Sequence, residues 1–251
     1  MIFKKKKEKP VIEFSCEDWA IRKYAPVLPA NQFIPQAYKD LTPGDRCPYD
    51  PDKKQGVRTA KTCPAVNQYL STGYIIPAWC DMEVDFTEEG MGTFQTANPK
   101  YGFEHHTEYQ FGSLLNSCFE FRTILKLNSP WHIITKPGYD LIWLPLWYHN
   151  KNYQAVPGMT SSKEIYIAEP INLGFHKPEK TEIKLGDPLV QIIPIKRENI
   201  NAASVPFTES HHRRHAASWG LNYLSKMGWR NFFNPPAKFT LDRQGLDIDD
   251  E

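Results

Sequence analysis

The chain has 251 residues and carries 30 Lys and Arg against 29 Asp and Glu, a net charge of +1. Hydrophobic residues at 41% and charged residues at 24% exclude global disorder, and the even charge balance excludes a general nucleic-acid binder. No apolar run approaches the ~20 residues that a membrane helix needs, and a chain of this length buries a sizeable core without disulfides or metals.

The content of 21 Pro, 14 Phe, 12 Tyr and 7 Trp points to strands and loops. Pro interrupts helices and inner strands, while aromatics favour pleated, half-buried surfaces. Lys4, Lys5, Lys6 and Lys7 open the chain with a basic run. No apolar stretch of signal-peptide length follows it, so export by a signal peptide is not expected. The run reads as a solvated tail or as a short arm against nucleic acid or an acidic partner. Five cysteines, an odd number without a Cys-x-x-Cys pair, suit buried thiols in a reducing compartment. Cys47 and Cys63 bracket a polar loop and leave a disulfide or a metal site open as the alternative.

Residues 1–61 are dense in proline (Pro26, Pro29, Pro35, Pro43, Pro48 and Pro51) and predict an extended arm. Phe14, Trp19, Tyr24, Phe33 and Tyr38 would anchor it by burial. Thr62-Cys63-Pro64 reads as a helix start, with Ala65, Val66, Tyr69 and Leu70 as its apolar stripe and Gly73 as its end. Residues 74–86 alternate and predict one strand, with Ile76, Ala78, Cys80, Met82, Val84 and Phe86 on the buried face. Residues 93–95 return as a hairpin strand. Residues 113–118 suit a helical turn. Phe119, Phe121, Thr123, Leu125 and Leu127 form one face of the next strand.

From residue 131 to 197 short strands alternate with turns: 131–135, 139–147, 153–156, 163–168, 182–185 and 189–195. Lys136-Pro137-Gly138, Pro157-Gly158 and Gly186-Asp187 mark turns. Residues 210–233 lack proline and predict a helix with an aromatic stripe through Ala216, Trp219, Tyr223 and Met227. This spacing predicts a mainly β protein, a jelly-roll or β-clip-like barrel over 62–206. An irregular arm at 1–61 precedes it, and a helical segment with an acidic tail at 207–251 follows. The acidic tail and the basic start could pair between neighbouring subunits.

Chemistry is sparse. His211 and His215 are spaced to share a helix face beside Glu209, a pattern that can hold a metal. Arg213 and Arg214 oppose a cation there. His211, His212, Arg213, Arg214, Trp219 and Tyr223 read better as a solvated face or as an anion or subunit contact. Glu104, His105, His106 and Glu108 form a second candidate metal cluster, although adjacent histidines on a strand point to opposite faces. Trp131, Trp143 and Trp147 would serve as a ligand platform or as core and subunit interface, and the aromatic content favours a homo-oligomer. Ser161 and Ser162 read as turn formers, and Asp81, Glu83 and Asp85 as a solvated strand face. No nucleophile motif or Gly-rich phosphate loop is present, and no cofactor is expected.

The block Ser129-Pro130-Trp131-His132-Ile133, with Pro137-Gly138-Tyr139, Pro157-Gly158 and residues 186–197 (GDPLVQIIPIKR), resembles an uncharacterised protein family of marine tailed phages, cyanophages especially. The resemblance covers a quarter to a third of the chain. It implies a phage origin; together with the absent catalytic motifs and the proline-rich arm, it leads to the expectation of a non-enzymatic phage structural or assembly protein that oligomerises or docks on another virion protein, in the virion or the host cytoplasm. Gly138-Tyr139-Asp140-Leu141 and Gly186-Asp187 through Gln191-Ile192-Ile193 are also similar to the dUTPase and dCTP deaminase superfamily, a β-clip. That similarity implies a nucleotide-binding protein or enzyme as the alternative. The turn at 157–162 lacks the Asp that this superfamily uses to activate water, and no Ser-Gly phosphate motif lies between the two strands. A His-based metal-dependent β-barrel enzyme is the third reading.

Overall fold

The computed structural model describes residues 10–45, 57–86, 92–106, 110, 123–161, 170–211, 213–214 and 217. Residues 1–198 and 199–251 form two compact units. The first unit is mainly β. Its strands in chain order are β1 (Ile12–Ser15), β2 (Leu28–Pro29), β3 (Gly44–Asp45), β4 (Val57–Arg58), β5 (Tyr74–Pro77), β6 (Met82–Phe86), β7 (Gly92–Thr96) and β8 (Phe103–His106). They continue as β9 (Thr123–Leu127), β10 (His132–Thr135), β11 (Tyr139–Leu144), β12 (Tyr153–Ala155), β13 (Gly158–Ser161), β14 (Ile171–Phe175), β15 (Thr181–Ile183) and β16 (Pro188–Lys196). The helices are α1 (Trp19–Tyr24), α2 (Gln36–Asp40) and α3 (Pro64–Ser71).

Every strand pairing is antiparallel. The largest sheet runs β13-β11-β16-β5-β2, a second runs β12-β14-β9-β8, and a third runs β15-β6-β7. The described strands form open sheets and do not close into a barrel. The core lies between the sheets. Ile76, Val84, Leu125, Leu173, Phe175, Ile183, Leu189 and Ile192 are fully buried there.

Residues 12–40 contribute to this core and are not merely draped on it. β1 pairs with β10, and Ile12, Cys16 and Ile21 pack into the main cluster. Burial pushes the Cys16 thiol pKa up, as expected of an inert buried cysteine. β2 pairs with β5, and Ala30, Ile75 and Leu146 form a small second cluster under Phe33.

α3 begins with Pro64 at its first turn, and Gly73 follows its cap in the left-handed region with φ +74. Gly73 also admits close packing, since a Cβ there would stand 2.2 Å from the Ile192 carbonyl oxygen. The helix end is tied to the sheet by the buried Gln191, whose Nε2 donates to the Tyr69 and Thr72 carbonyls at 2.8 and 2.7 Å. The Tyr69 carbonyl also accepts the Thr72 N–H at 3.4 Å, so the amide adds to the backbone cap at this helix end.

The single strand expected over 74–86 is two strands in two different sheets. Residues 78–81 break it, and Ala78 there donates to the Asp187 carbonyl. Alternation continued across the break because the inward set Ile76, Ala78, Met82 and Val84 stays buried throughout. Ile75 and Trp79 are buried as well, so the segment has no single solvated face. The strand expected at 139–147 ends at Leu144, and the Pro157-Gly158 turn leads straight into β13. The turns at Gly138 and Gly186 are present, each glycine with φ +87. The helical turn expected at 113–118 and the strand expected at 163–168 lie outside the described residues.

In the second unit, residues 201–208 carry no regular structure, and Ile200, Val205 and Phe207 are exposed. Glu209, Ser210, His211, Arg213, Arg214 and Ala217 are helical. The rest of the helix expected over 210–233 lies outside the described residues. Among the described residues no helix is long and apolar enough to cross a membrane.

Candidate functional site

Side chains alternate across a strand, and directly opposed residues share a face. The register of β13, β11 and β16 therefore lays out one face of the largest sheet row by row. Ser161, Asp140 and Ile195 form the first row, and Met159, Ile142 and Ile193 the second. Leu144, Gln191, Ile75 and Leu28 form the third. The opposite face carries Leu141, Trp143 and Ile192 into the core.

The third row lies under cover: Gln191 is bonded to the end of α3, and Ile75 packs with Ala30 and Leu146. The first two rows are more open. Ile142, Ile193 and Ile195 are half-buried, and Met159 is 65% exposed.

At the end of this apolar face stands a charged group of unusual depth. The side chain of Asp140 is only 8% exposed. Arg197, just past the end of β16, meets it from the same face. Its Nε donates to Oδ2 at 2.8 Å and its Nη2 to Oδ1 at 2.5 Å, and Nη2 also donates to the Ser161 hydroxyl. The backbone joins in, because the Arg197 N–H donates to the Gly138 carbonyl at 2.7 Å. A two-point guanidinium–carboxylate pair fixes orientation as well as charge. Both oxygens of Asp140 are engaged, so this carboxylate is not placed to act as a general base. Ser161, read above as a turn former, lies on β13 as a member of this group. Sequence reasoning quoted Asp140 and Arg197 only as parts of a motif. The available signal was an Asp inside an otherwise apolar strand, since buried charges require a partner.

The expected site residues that the structure describes have separate surroundings within each unit. Glu104 lies on β8 and pairs with Lys126 at 3.0 Å. His106 shares its face and meets Asn172 at 2.9 Å through Nε2. His105 points the other way and packs edge-on against Phe103 at 5.4 Å. Glu108 lies outside the described residues. Trp131 and Trp143 are core residues, the latter donating to Thr160 at 3.0 Å, while Trp147 is exposed. The three tryptophans thus do not share one surface.

In the second unit His211 Nδ1 accepts from the Thr208 N–H at 3.0 Å, and its ring lies 5.7 Å from that of Phe207. Glu209 is taken up by Arg213 at 2.6 Å, and Arg214 is exposed. His212, His215, Trp219 and Tyr223 lie outside the described residues, as do Lys4, Lys5, Lys6 and Lys7. Among the described residues no three His, Cys, Asp or Glu side chains come together as a metal site would require.

A cavity of about 300 Å³ opens on the third sheet, beside Asp81, Glu83, Gln95, Glu182 and Lys184. Glu83 and Glu182 face each other across β6 and β15, and Lys180 and Lys184 offset them at 2.9 and 3.0 Å. Asp81 accepts the Leu185 N–H at 2.8 Å. These groups are paired with one another on an open surface, Lys184 also reaching Asp81 at 3.7 Å.

No family model matches the sequence, and no curated protein does. Two solved structures of a dUTPase from phage phi11 of S. aureus are distantly similar to the chain in fold. One is a mutant described for coordination of a structural Mg(II) ion, with 10% identity, TM-score 0.30, 61% of this chain covered and 90% of that one. The other is described for a species-specific insert, with 11% identity, TM-score 0.31, and 62% and 92% covered. Identity and score are both too low to transfer the role of any residue.

Proposed function

We propose that the chain is a nucleotide-binding protein of dUTPase-like kind. One observation carries this reading. The two strands that bear the sequence resemblance, β11 and β16, are hydrogen-bonded neighbours, and on their shared face a part-exposed apolar surface ends in the Asp140–Arg197–Ser161 group. Ligand sites combine apolar walls with a few fixed polar groups, and a nucleobase has both a flat face to stack and an edge to bond.

The test is a thermal-shift panel of deoxynucleoside triphosphates with Mg²⁺. A ligand at 100 times its dissociation constant adds about 2.7 kcal/mol of stability. A base-selective rise that is lost in Met159→Glu, placed on the same face, is the expected result. A flat response across the panel overturns the reading.

A second reading, a phage assembly protein of the virion or host cytoplasm, is favoured by the openness of the same face. Exposed apolar surface of this kind commonly buries against another subunit. Light scattering separates the two readings: an assembly protein is oligomeric without ligand, and Met159→Glu breaks the oligomer.

A further inference from the structure

The loop between β11 and β12 holds two aromatic rings out in water on a fixed support. Trp147 is 55% and Tyr148 44% exposed. Leu146, beside them in the chain, is buried with Ala30 and Ile75. The His149 N–H donates to the Leu146 carbonyl at 3.1 Å, and Asn150 turns the chain with φ +47, a conformation that Asn tolerates. From α3 the Tyr69 hydroxyl donates to the Pro145 carbonyl, and the Tyr69 ring meets that of Tyr148 edge-on at 5.6 Å. The rings are thus placed before any ligand arrives, and Trp and Tyr supply contact area at low entropy cost.

The two segments that build this surface are uncharged. Residues 62–80 and 141–150, which supply α3 and the loop, contain no Asp, Glu, Lys or Arg in a chain that is 24% charged. Asn67, Gln68, Ser71 and Thr72 are exposed on α3 and its cap, so amides and hydroxyls stand on the helix that meets the rings. The aliphatic side chains of Leu70 and Leu146 are buried. His149 adds no charge at neutral pH, since burial holds its pKa down at about 4. Lys151, next along the loop, is paired with Asp187 at 3.1 Å.

We propose that Trp147 and Tyr148, with the exposed side of α3, bind a neutral oligosaccharide. A sugar ring offers a face of C–H bonds, which the electron-rich face of an aromatic ring attracts. It also offers a rim of hydroxyls, and an amide such as that of Gln68 can both donate to these and accept from them. A nucleotide would bring phosphates to a surface whose two segments carry no cation. A protein partner would need more area: ordinary interfaces bury ~800 Å² on each side, and two half-exposed rings present roughly 200 Å². The site lies on a loop and a helix, apart from the strand face proposed for nucleotides, and does not depend on that reading.

The test is a titration of the full chain with maltohexaose, cellohexaose and chitohexaose, read from the indole N–H signals of its seven tryptophans in proton–nitrogen NMR. At least one of these sugars should shift one indole signal, the one that Trp147→Ala removes. Added salt should leave the affinity unchanged, because no charges meet. Trp147→Ala should weaken the same sugar about tenfold when binding is followed by calorimetry, while the remaining indole signals stay in place and show the fold intact. A panel in which no sugar shifts an indole signal overturns the proposal. So does a sugar whose affinity survives Trp147→Ala, and so does loss of self-association as the only effect of that substitution, which would make the loop a subunit contact.

Discussion

Asp140 and Arg197 stand 57 residues apart in the chain, and the pair is lopsided: the carboxylate is 8% exposed and the guanidinium 46%. The two ends of the pair are therefore not equivalent. Arg197→Ala removes both guanidinium bonds from a buried carboxylate and should cost about 3 kcal/mol, at the lower end for a broken buried pair. Asp140→Ala leaves a guanidinium that water can still reach, and should cost less. Arg197→Lys should not restore stability, because a point charge cannot span two oxygens. Urea unfolding of the three variants checks the order. Equal losses at both positions would mean that the pair is solvated on both sides.

Gly73 and Gly186 separate backbone strain from packing. Both have positive φ, but a Cβ at Gly186 meets nothing within 4 Å, whereas at Gly73 it meets the backbone of β16 at 2.2 Å. Gly186→Ala should cost about 1 kcal/mol, the conformational part alone. Gly73→Ala should cost several times that, because a backbone carbonyl cannot move aside as a flexible side chain would. Thermal melts of the two variants decide it. Matching shifts would show that β16 yields at Ile192.

Gln191 is the polar residue in an otherwise apolar stretch of β16, and the reason lies on α3 rather than on its own sheet. Replacing it with Leu keeps the volume and removes two donors from the Tyr69 and Thr72 carbonyls. The Tyr69 carbonyl keeps the Thr72 N–H and water reaches the exposed Thr72, so the loss sits at the low end of the about 1–3 kcal/mol for a lost acceptor partner. Gln191→Leu should lower stability by that order, and hydrogen exchange should show the last turn of α3 opening more often. Unchanged exchange would mean that water replaces the amide.

Local rules reached as far as local causes extend. The helix at 64–71 was legible because Pro64 and Gly73 bracket an apolar stripe. The turns at Gly138 and Gly186 were legible because glycine is needed where φ is positive. The strand break at 78–81 was not, because the inward parity of Ile76 and Ala78 carries on into Met82 and Val84 while the chain changes sheets. Ser161 was misread because its neighbours look like a turn, and only the register of β13 against β11 brings it to Asp140. Glu104 and His106 are neighbours in sequence, but cross-strand pairing, which the sequence does not display, sets them beside Lys126 and Asn172.

His149 gives the molecule a pH dependence whose sign can be worked out. Burial and the nearby Lys151 charge hold its pKa down at about 4, against an ordinary value near 6.5. Above the ordinary value neither the folded nor the unfolded chain is protonated at this site, and its neutral form stabilises the fold in full. As pH falls from about 6.5 to about 4, the unfolded chain takes up a proton that the folded chain resists, so stability declines. Below about 4 both states are protonated and this source of loss levels off. His149 is partly open to solvent, and screening limits the effect to about 1–2 kcal/mol. His149→Gln should be flatter than the wild type between pH 7 and 4.5 when unfolding free energies are compared. The carboxylates titrate in both proteins and cancel in the difference. Parallel curves would show that His149 is protonated in the folded chain as readily as in the unfolded one.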